Sequence, residues 1–500
     1  MLFILNSYPF MYPGYDMWWH MGAIDTAQLA GPRISGSRFW HWVWSGALSW
    51  LPSASFFDRA LIVHRVQFLL AVALVGLSGY WILRTIFHRT TVHRAELLLF
   101  AWLGVLIWLI MQGTYSQAVF GGRESRVVMS WMSWYSINYQ IALSTCLLAG
   151  AALLYAVVMP LSTERRMLML LASTASLLLT ALIHAAEVPY FLFAMAIVVA
   201  LYVRGRRGLL WVLVLFMAVA LSLYLALRFS YRTPELLRVA MQGDWGMLAD
   251  RVSRYGQYLV VQGANRRSTG WNTLYTLSTL LLCVSLLVAW RLPSRAAIKP
   301  MLFVLLTGLL PLMLLFQWSA GLLATITYAN LAWRFAFSSF LFLAIPIFLV
   351  LLGQLLPVRA KAWGQVTAAV LIALCVYVHS RWVDSQQIVN TFAASIVRST
   401  DPRQMYFDLS TEEQEALDSM HARLIQSPPG KPLCVDIFSA YYLFFLKDFR
   451  GVYVPGNVNR LPTVEHRKHR CRFPRDGGDL VALGIKQPPW RFRLAQDPVN

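Results

Sequence analysis

The chain has 500 residues, 58% of them hydrophobic and only 13% charged. Soluble domains carry about 25% charged residues, so the composition excludes an ordinary soluble protein and points to a polytopic α-helical membrane protein. The net charge is +20, from 43 Lys and Arg against 23 Asp and Glu. The basic residues gather at the ends of apolar runs, where they meet membrane lipids, so nucleic acid is not the expected partner.

The first 64 residues hold no apolar run of spanning length. "MLFIL" is too short for the core of a cleavable signal peptide or for a spanning helix. The segment "YPFMYPGYDMWWHMGAID" (Tyr8–Asp25) places Asp16, His20 and Asp25 among tyrosines and tryptophans. "SRFWHWVWSGALSWL" (37–51) is aromatic and apolar all round, with His41 and Ser45 as minor breaks. It suits a helix lying in the membrane interface.

Apolar runs follow near 65–87, 95–112, 140–159, 167–183, 188–203, 208–229, 273–291, 300–317, 333–356 and 363–382, which predicts ten spanning helices. The short link "HAAE" makes a hairpin of the fourth and fifth. The loops alternate in charge. One set carries Arg84, Arg89, Arg94, Arg165, Arg166, Arg204, Arg206, Arg207, Arg291, Arg295, Lys299, Arg359 and Lys361 in short turns. The other set (113–139, 184–187, 230–272, 318–332) holds about eight basic residues in far more sequence. The positive-inside rule places the first set in the cytoplasm and the second outside, with both terminal regions. The first 64 residues then read as an external loop whose preceding helix this reading frame lacks, which would make eleven. Within the outer loops, 127–138 and 235–261 resemble further interfacial helices.

The character changes near Asp384. "STEEQEALDSMHARLI" (410–425) reads as an amphipathic helix with Ser410 as N-cap and Glu413 three residues on. Strands are expected at 432–437, 451–454 and 479–485, with a helix over 438–447, making a small external α/β domain. The chain thus divides into an external loop (1–64), a transmembrane domain (65–383) and an external domain (384–500). Cys146, Cys283 and Cys375 fall in apolar runs, whereas Cys434 and Cys471 could pair in an oxidising compartment. No cysteine spacing fits zinc. The run "EHRKHRCR" (465–472) reads as a solvated or lipid-surface patch.

Titratable groups concentrate on the outer side: Asp16, His20 and Asp25; Arg123, Glu124 and Arg126 in "GGRESR"; His184 and Glu187; Arg266 and Arg267; and Arg334. Asp16 could serve as a general base toward an acceptor hydroxyl, with Glu124 assisting or sharing a divalent cation such as Mg or Mn. His20 follows Asp16 by four residues and Glu187 follows His184 by three, so in a helix each pair shares a face. The arginines suit phosphate oxygens. Each group also has a structural reading: Asp16 as a helix cap, Glu124 as partner of Arg123 or Arg126, His184–Glu187 as a fold contact, Arg334 as an interfacial anchor. No phosphate-binding Gly-rich loop, His-Glu-x-x-His or Gly-x-Ser-x-Gly motif is present.

An acid in the first external loop (Asp16 in "YPGYDMWWH"), interfacial helices after it, an acid two helices on (Glu124), basic cytoplasmic turns and an external C-terminal domain together resemble one family. This is the GT-C superfamily of integral-membrane glycosyltransferases, which includes oligosaccharyltransferases, protein O-mannosyltransferases and aminoarabinose transferases. The resemblance implies a polyprenyl-phosphate or polyprenyl-diphosphate sugar as donor and a glycan, lipid or protein acceptor. It implies Asp16 as catalytic carboxylate, with Arg266, Arg267 or Arg334 neutralising the lipid phosphate. The setting implied is a bacterial inner membrane with the active site on the periplasmic side. An O-antigen polymerase or ligase, favouring outer arginines over acids, is an alternative. A lipid or sugar transporter or flippase is a further one, though no internal repeat or midmembrane polar group supports it. A non-catalytic assembly subunit also fits the sequence.

Overall fold

The computed structural model describes Ile24 and residues 37–52, 56–113, 137–184, 187–202, 207–229, 242–250, 252–254, 271–291, 295–309, 317–326 and 339–382, with scattered positions between 415 and 453. Each of the ten apolar runs holds an α-helix. In chain order the helices are α1 (Ser37–Trp50), α2 (Phe56–Ile86), α3 (Arg94–Gly113), α4 (Ile137–Val158), α5 (Thr163–Ile183), α6 (Val188–Tyr202), α7 (Arg207–Phe229), α8 (Trp271–Arg291), α9 (Ile298–Leu309), α10 (Gln317–Ile326), α11 (Ala344–Leu355) and α12 (Val358–Trp382). Among the described residues, Ile62–Ile86, Asn138–Val158 and Thr163–Ile183 are long and apolar enough to cross a membrane.

Helix ends depart from the apolar runs where polar residues extend a helix without extending its hydropathy. α2 starts at Phe56, nine residues before the expected run, because a helix accommodates "FFDRALIVH" as readily as an apolar stretch. Arg59 of this extension donates from Nη1 to the carbonyl of Leu48 at 3.4 Å, tying α1 to α2. α5 begins at a cap, with the Ser162 hydroxyl accepting from the Arg165 amide.

Exposed apolar residues recur at helical spacing. Trp363, Val366, Val370 and Leu374 line one side of α12, and Leu280, Val284 and Leu287 one side of α8. Such stripes are unfavourable against water and suited to hydrocarbon, as an α-helical membrane protein requires. The core gathers around α4, which is buried along almost all of its length. Its run Ala149-Gly150-Ala151-Ala152 lets neighbouring backbones approach closely. The Ser173 hydroxyl of α5 accordingly reaches the Ala149 carbonyl at 2.8 Å.

The expected span 333–356 is not a continuous α-helix. Phe340–Leu343 forms a 3-10 turn before α11, buried on every side. Its side chains fill spaces left by glycines of four helices. A Cβ on Gly104 would lie 2.9 Å from Leu343, one on Gly308 3.1 Å from Leu341, one on Gly79 3.2 Å from Leu343 and one on Gly150 3.3 Å from Phe340. Non-helical backbone is tolerated at membrane depth where protein surrounds it. The apolar run "FLFLAIPIF" carries one sign of the break: Pro346 has no amide hydrogen for the Phe342 carbonyl and so suits the first turn of α11 rather than the middle of a longer helix.

One end of the bundle carries cations. Lys361 pairs with Glu96 at 2.7 Å, joining the starts of α12 and α3. Lys299 donates to the Leu201 carbonyl at 2.9 Å and lies over the Tyr202 ring. The Arg84 guanidinium stands 5.8 Å over the Tyr155 ring. These contacts bring together the helix ends that the basic turns flank.

Of the loops expected outside, 245–250 and 252–254 are helical, and the Asp244 carboxylate accepts from the Met247 amide at 2.9 Å as a cap. Gln317 at the start of α10 donates to the Ser253 hydroxyl at 2.7 Å. The expected interfacial helix 127–138 lies outside the described residues up to 136. In the C-terminal region, 415, 418–419, 421–422 and 425–426 are helical. β1 (Leu433–Cys434) pairs in parallel with β2 (Val452–Tyr453), each inside an expected strand. Parallel neighbours need a crossover of a dozen or more residues, and the 17 residues between them suffice. Cys471, 438–447 and 479–485 lie outside the described residues.

Candidate functional site

The end of the bundle opposite the cations gathers buried polar side chains from α1, α2, α4, α5 and the α5–α6 link. The reason is local: each helix here starts or stops with polar residues inside an otherwise apolar run, and the packing of its neighbours covers them. α1 is the tryptophan-rich helix expected at 37–51, and two of its indoles need acceptors once buried. Gln67 of α2, 4% exposed, supplies both. Its carbonyl oxygen accepts from Trp40 Nε1 at 2.9 Å and from Trp44 Nε1 at 2.6 Å. Its amide nitrogen donates to Gln140 Oε1 of α4 at 2.8 Å. One glutamine thus holds three helices together. The Trp44 ring meets His64 edge-on at 6.2 Å. Trp40 also packs on a small cluster of Ala71, Ile141, Ala142 and Ile183, which brings α1 against α5.

α4 and α5 are joined lower down by the hydroxyls of Thr145 and Thr180, 2.8 Å apart. α5 then ends at His184, whose extended backbone stops the helix while its amide still donates to the Thr180 carbonyl. Glu187 opens α6. The imidazole Nδ1 of His184 lies 2.5 Å from Glu187 Oε2. The expected i, i+3 proximity is realised, but across the link between two helices rather than along one. Glu187 is 3% exposed and His184 20%. The Tyr139 ring of α4 stands edge-on to the imidazole at 6.4 Å. The Glu187 carbonyl accepts from Cys146 Sγ at 3.4 Å, fixing the link to α4.

A carboxylate against Nδ1 calls for a proton on that nitrogen. In the neutral ring Nε2 is then the acceptor. The arrangement presents a fixed, part-exposed imidazole able to take a hydrogen bond or a proton from a hydroxyl.

Of the residues expected to form a site, His184 and Glu187 are brought together. Asp16, His20, Asp25, Arg123, Glu124, Arg126, Arg266, Arg267 and Arg334 lie outside the described residues. Among the described residues no group of three or more His, Cys, Asp or Glu side chains could hold a metal ion. The proposed cation ligands Asp16 and Glu124 are not among them. The sequence reading passed over Gln67, Asn138 and Gln140. Their signal was the position of an amide in the outer turns of an apolar helix, where a polar group is costly unless used. No known protein family, curated protein or solved structure matches the chain.

Proposed function

We propose that the chain is a membrane glycosyltransferase that moves a sugar from a polyprenyl-phosphate or polyprenyl-diphosphate donor to a hydroxyl-bearing or amide acceptor. The observation that carries the reading is the asymmetry of the bundle. One end holds a buried imidazole–carboxylate pair, amides and a tryptophan-rich helix beside Arg59 and Arg65, and the other holds Lys361, Lys299 and Arg84 at helix ends that short basic turns join. In this reading the cation-bearing end faces the cytoplasm, as the positive-inside rule requires. The polar end and the C-terminal region then face outward, on the periplasmic side of a bacterial inner membrane. A lipid-linked donor suits such a place, because its tail belongs in hydrocarbon and its head group at the interface.

Asp16 is the proposed catalytic carboxylate, taking the proton of the acceptor hydroxyl, with Glu124 beside it. His184, oriented by Glu187, accepts a hydrogen bond from a sugar or acceptor hydroxyl. Arg123, Arg126, Arg266, Arg267 and Arg334 offset the charge of the departing lipid phosphate. A divalent cation, if one is used, would be held by Asp16 and Glu124 and would polarise phosphate oxygens. The full count of ten or eleven spans and the external α/β domain belong to the same proposal.

The experiment is sugar transfer in proteoliposomes with a polyprenyl-linked donor, comparing the wild type with Asp16→Asn. Loss of a general base lowers the rate by about 10²–10⁴-fold. Undiminished transfer by Asp16→Asn would remove Asp16 from the chemistry.

A further inference from the structure

Among the described residues of the polar end, Asn138 is the amide with both ends unpartnered. It stands in the first turn of α4 and is 1% exposed, yet among the described residues neither its Nδ2 nor its Oδ1 has a hydrogen-bond partner. A buried amide with both ends unsatisfied is rare in folded proteins and costly. Its direction follows from the helix. Asn138, Ala142, Thr145 and Ala149 form one stripe at i, i+4, i+7 and i+11. The last three meet α5: the Ala142 carbonyl accepts from Thr180, Thr145 bonds the same hydroxyl, and the Ala149 carbonyl accepts from Ser173. One turn further out, the stripe places Asn138 over the end of α5, where His184 breaks the helix. The neighbouring Tyr139 already touches the His184 ring.

We infer that Asn138 and His184 form a subsite for a neutral, hydroxyl-rich group, a glycosyl unit carried on an apolar tail. The chemistry selects this class. The amide offers donors and an acceptor, and a sugar presents hydroxyls that both donate and accept. The imidazole adds an acceptor at Nε2. The Glu187 carboxylate is engaged by His184, so it does not serve a cationic ligand, and its charge disfavours an anion at the same spot. Tyr139 supplies an aromatic wall. The exposed apolar stripes on the bundle leave the tail in hydrocarbon. The inference rests on the reading of this end as sugar-handling, but it concerns binding and not transfer.

The test uses the full chain in lipid nanodiscs and measures its unfolding temperature. The probes are sub-micellar octyl β-D-glucoside, octyl β-D-galactoside and octyl β-D-mannoside, with octylphosphocholine as the tail-matched control. At least one glycoside is expected to raise Tm by about 1–3 °C above the control in the wild type. Asn138→Leu, which replaces the unsatisfied amide by an apolar group of similar size, is expected to keep or raise the ligand-free Tm and to lose the glycoside shift. If Asn138→Leu does not fold, Asn138→Ala carries the same comparison. No glycoside shift over the control in the wild type, or a full shift in the folded variant, overturns the subsite. Either result leaves the Asp16→Asn transfer assay free to decide the catalytic reading, and failed transfer with a preserved glycoside shift would separate the two in the other direction.

Discussion

At the cationic end of the bundle, Lys361, Lys299 and Arg84 hold their partners on long side chains at part-exposed positions. At the polar end, Gln67, Gln140 and Glu187 are almost wholly enclosed, and each contact there satisfies a group that would otherwise be stranded. The difference is one of replaceability. A cation at the first end can be lost to water and lipid head groups with little consequence, because its charge near the surface sets orientation more than geometry. Gln67 at the other end cannot be removed without leaving several partners stranded in a dry interior. Fixed geometry is a property of the second end, and adaptable surface charge of the first.

The contrast can be broken by substitution. Gln67→Leu leaves two indole N–H groups and the Gln140 carbonyl without partners and is expected to cost about 2–4 kcal/mol. Chemical unfolding in detergent measures the loss, and tryptophan fluorescence should shift to the red as Trp40 and Trp44 become wet. Glu187→Ala leaves the imidazole without its carboxylate and should cost about 2–3 kcal/mol. This lies below the range for fully buried pairs because His184 is part-exposed. The same unfolding assay decides it, and a cost near zero would return His184–Glu187 to a surface contact. Lys361→Ala is expected to change stability by about 0–1 kcal/mol. Should it match Gln67→Leu, the proposed division between the two ends is lost.

Much of the helical framework was legible in the sequence because hydropathy reports burial in hydrocarbon directly. The tryptophan-rich segment at 37–51 could be read from composition, and the closeness of His184 and Glu187 from the short hairpin link, although the contact forms across that link and not along a helix. The rest depends on partners far apart in the chain. Glu96 meets Lys361 across 265 residues, and no local pattern marks the pairing. Gln67 and Gln140 each look like an isolated polar interruption until packing places 73 residues' separation within one hydrogen bond. Phe340–Leu343 reads as more apolar helix by hydropathy; Pro346 marks where the helix must restart, and the four glycines that receive the side chains of the turn are found only by packing.

That buried turn also bears on how the chain is assembled. Gly79, Gly104 and Gly150 are synthesised early, whereas Phe340 and Leu343, which fill the spaces beside them, emerge after two-thirds of the chain. The packing of the helices of the first third is therefore completed by side chains that are synthesised late. A truncation before residue 340 would leave Gly79, Gly104 and Gly150 without the side chains that fill the spaces beside them.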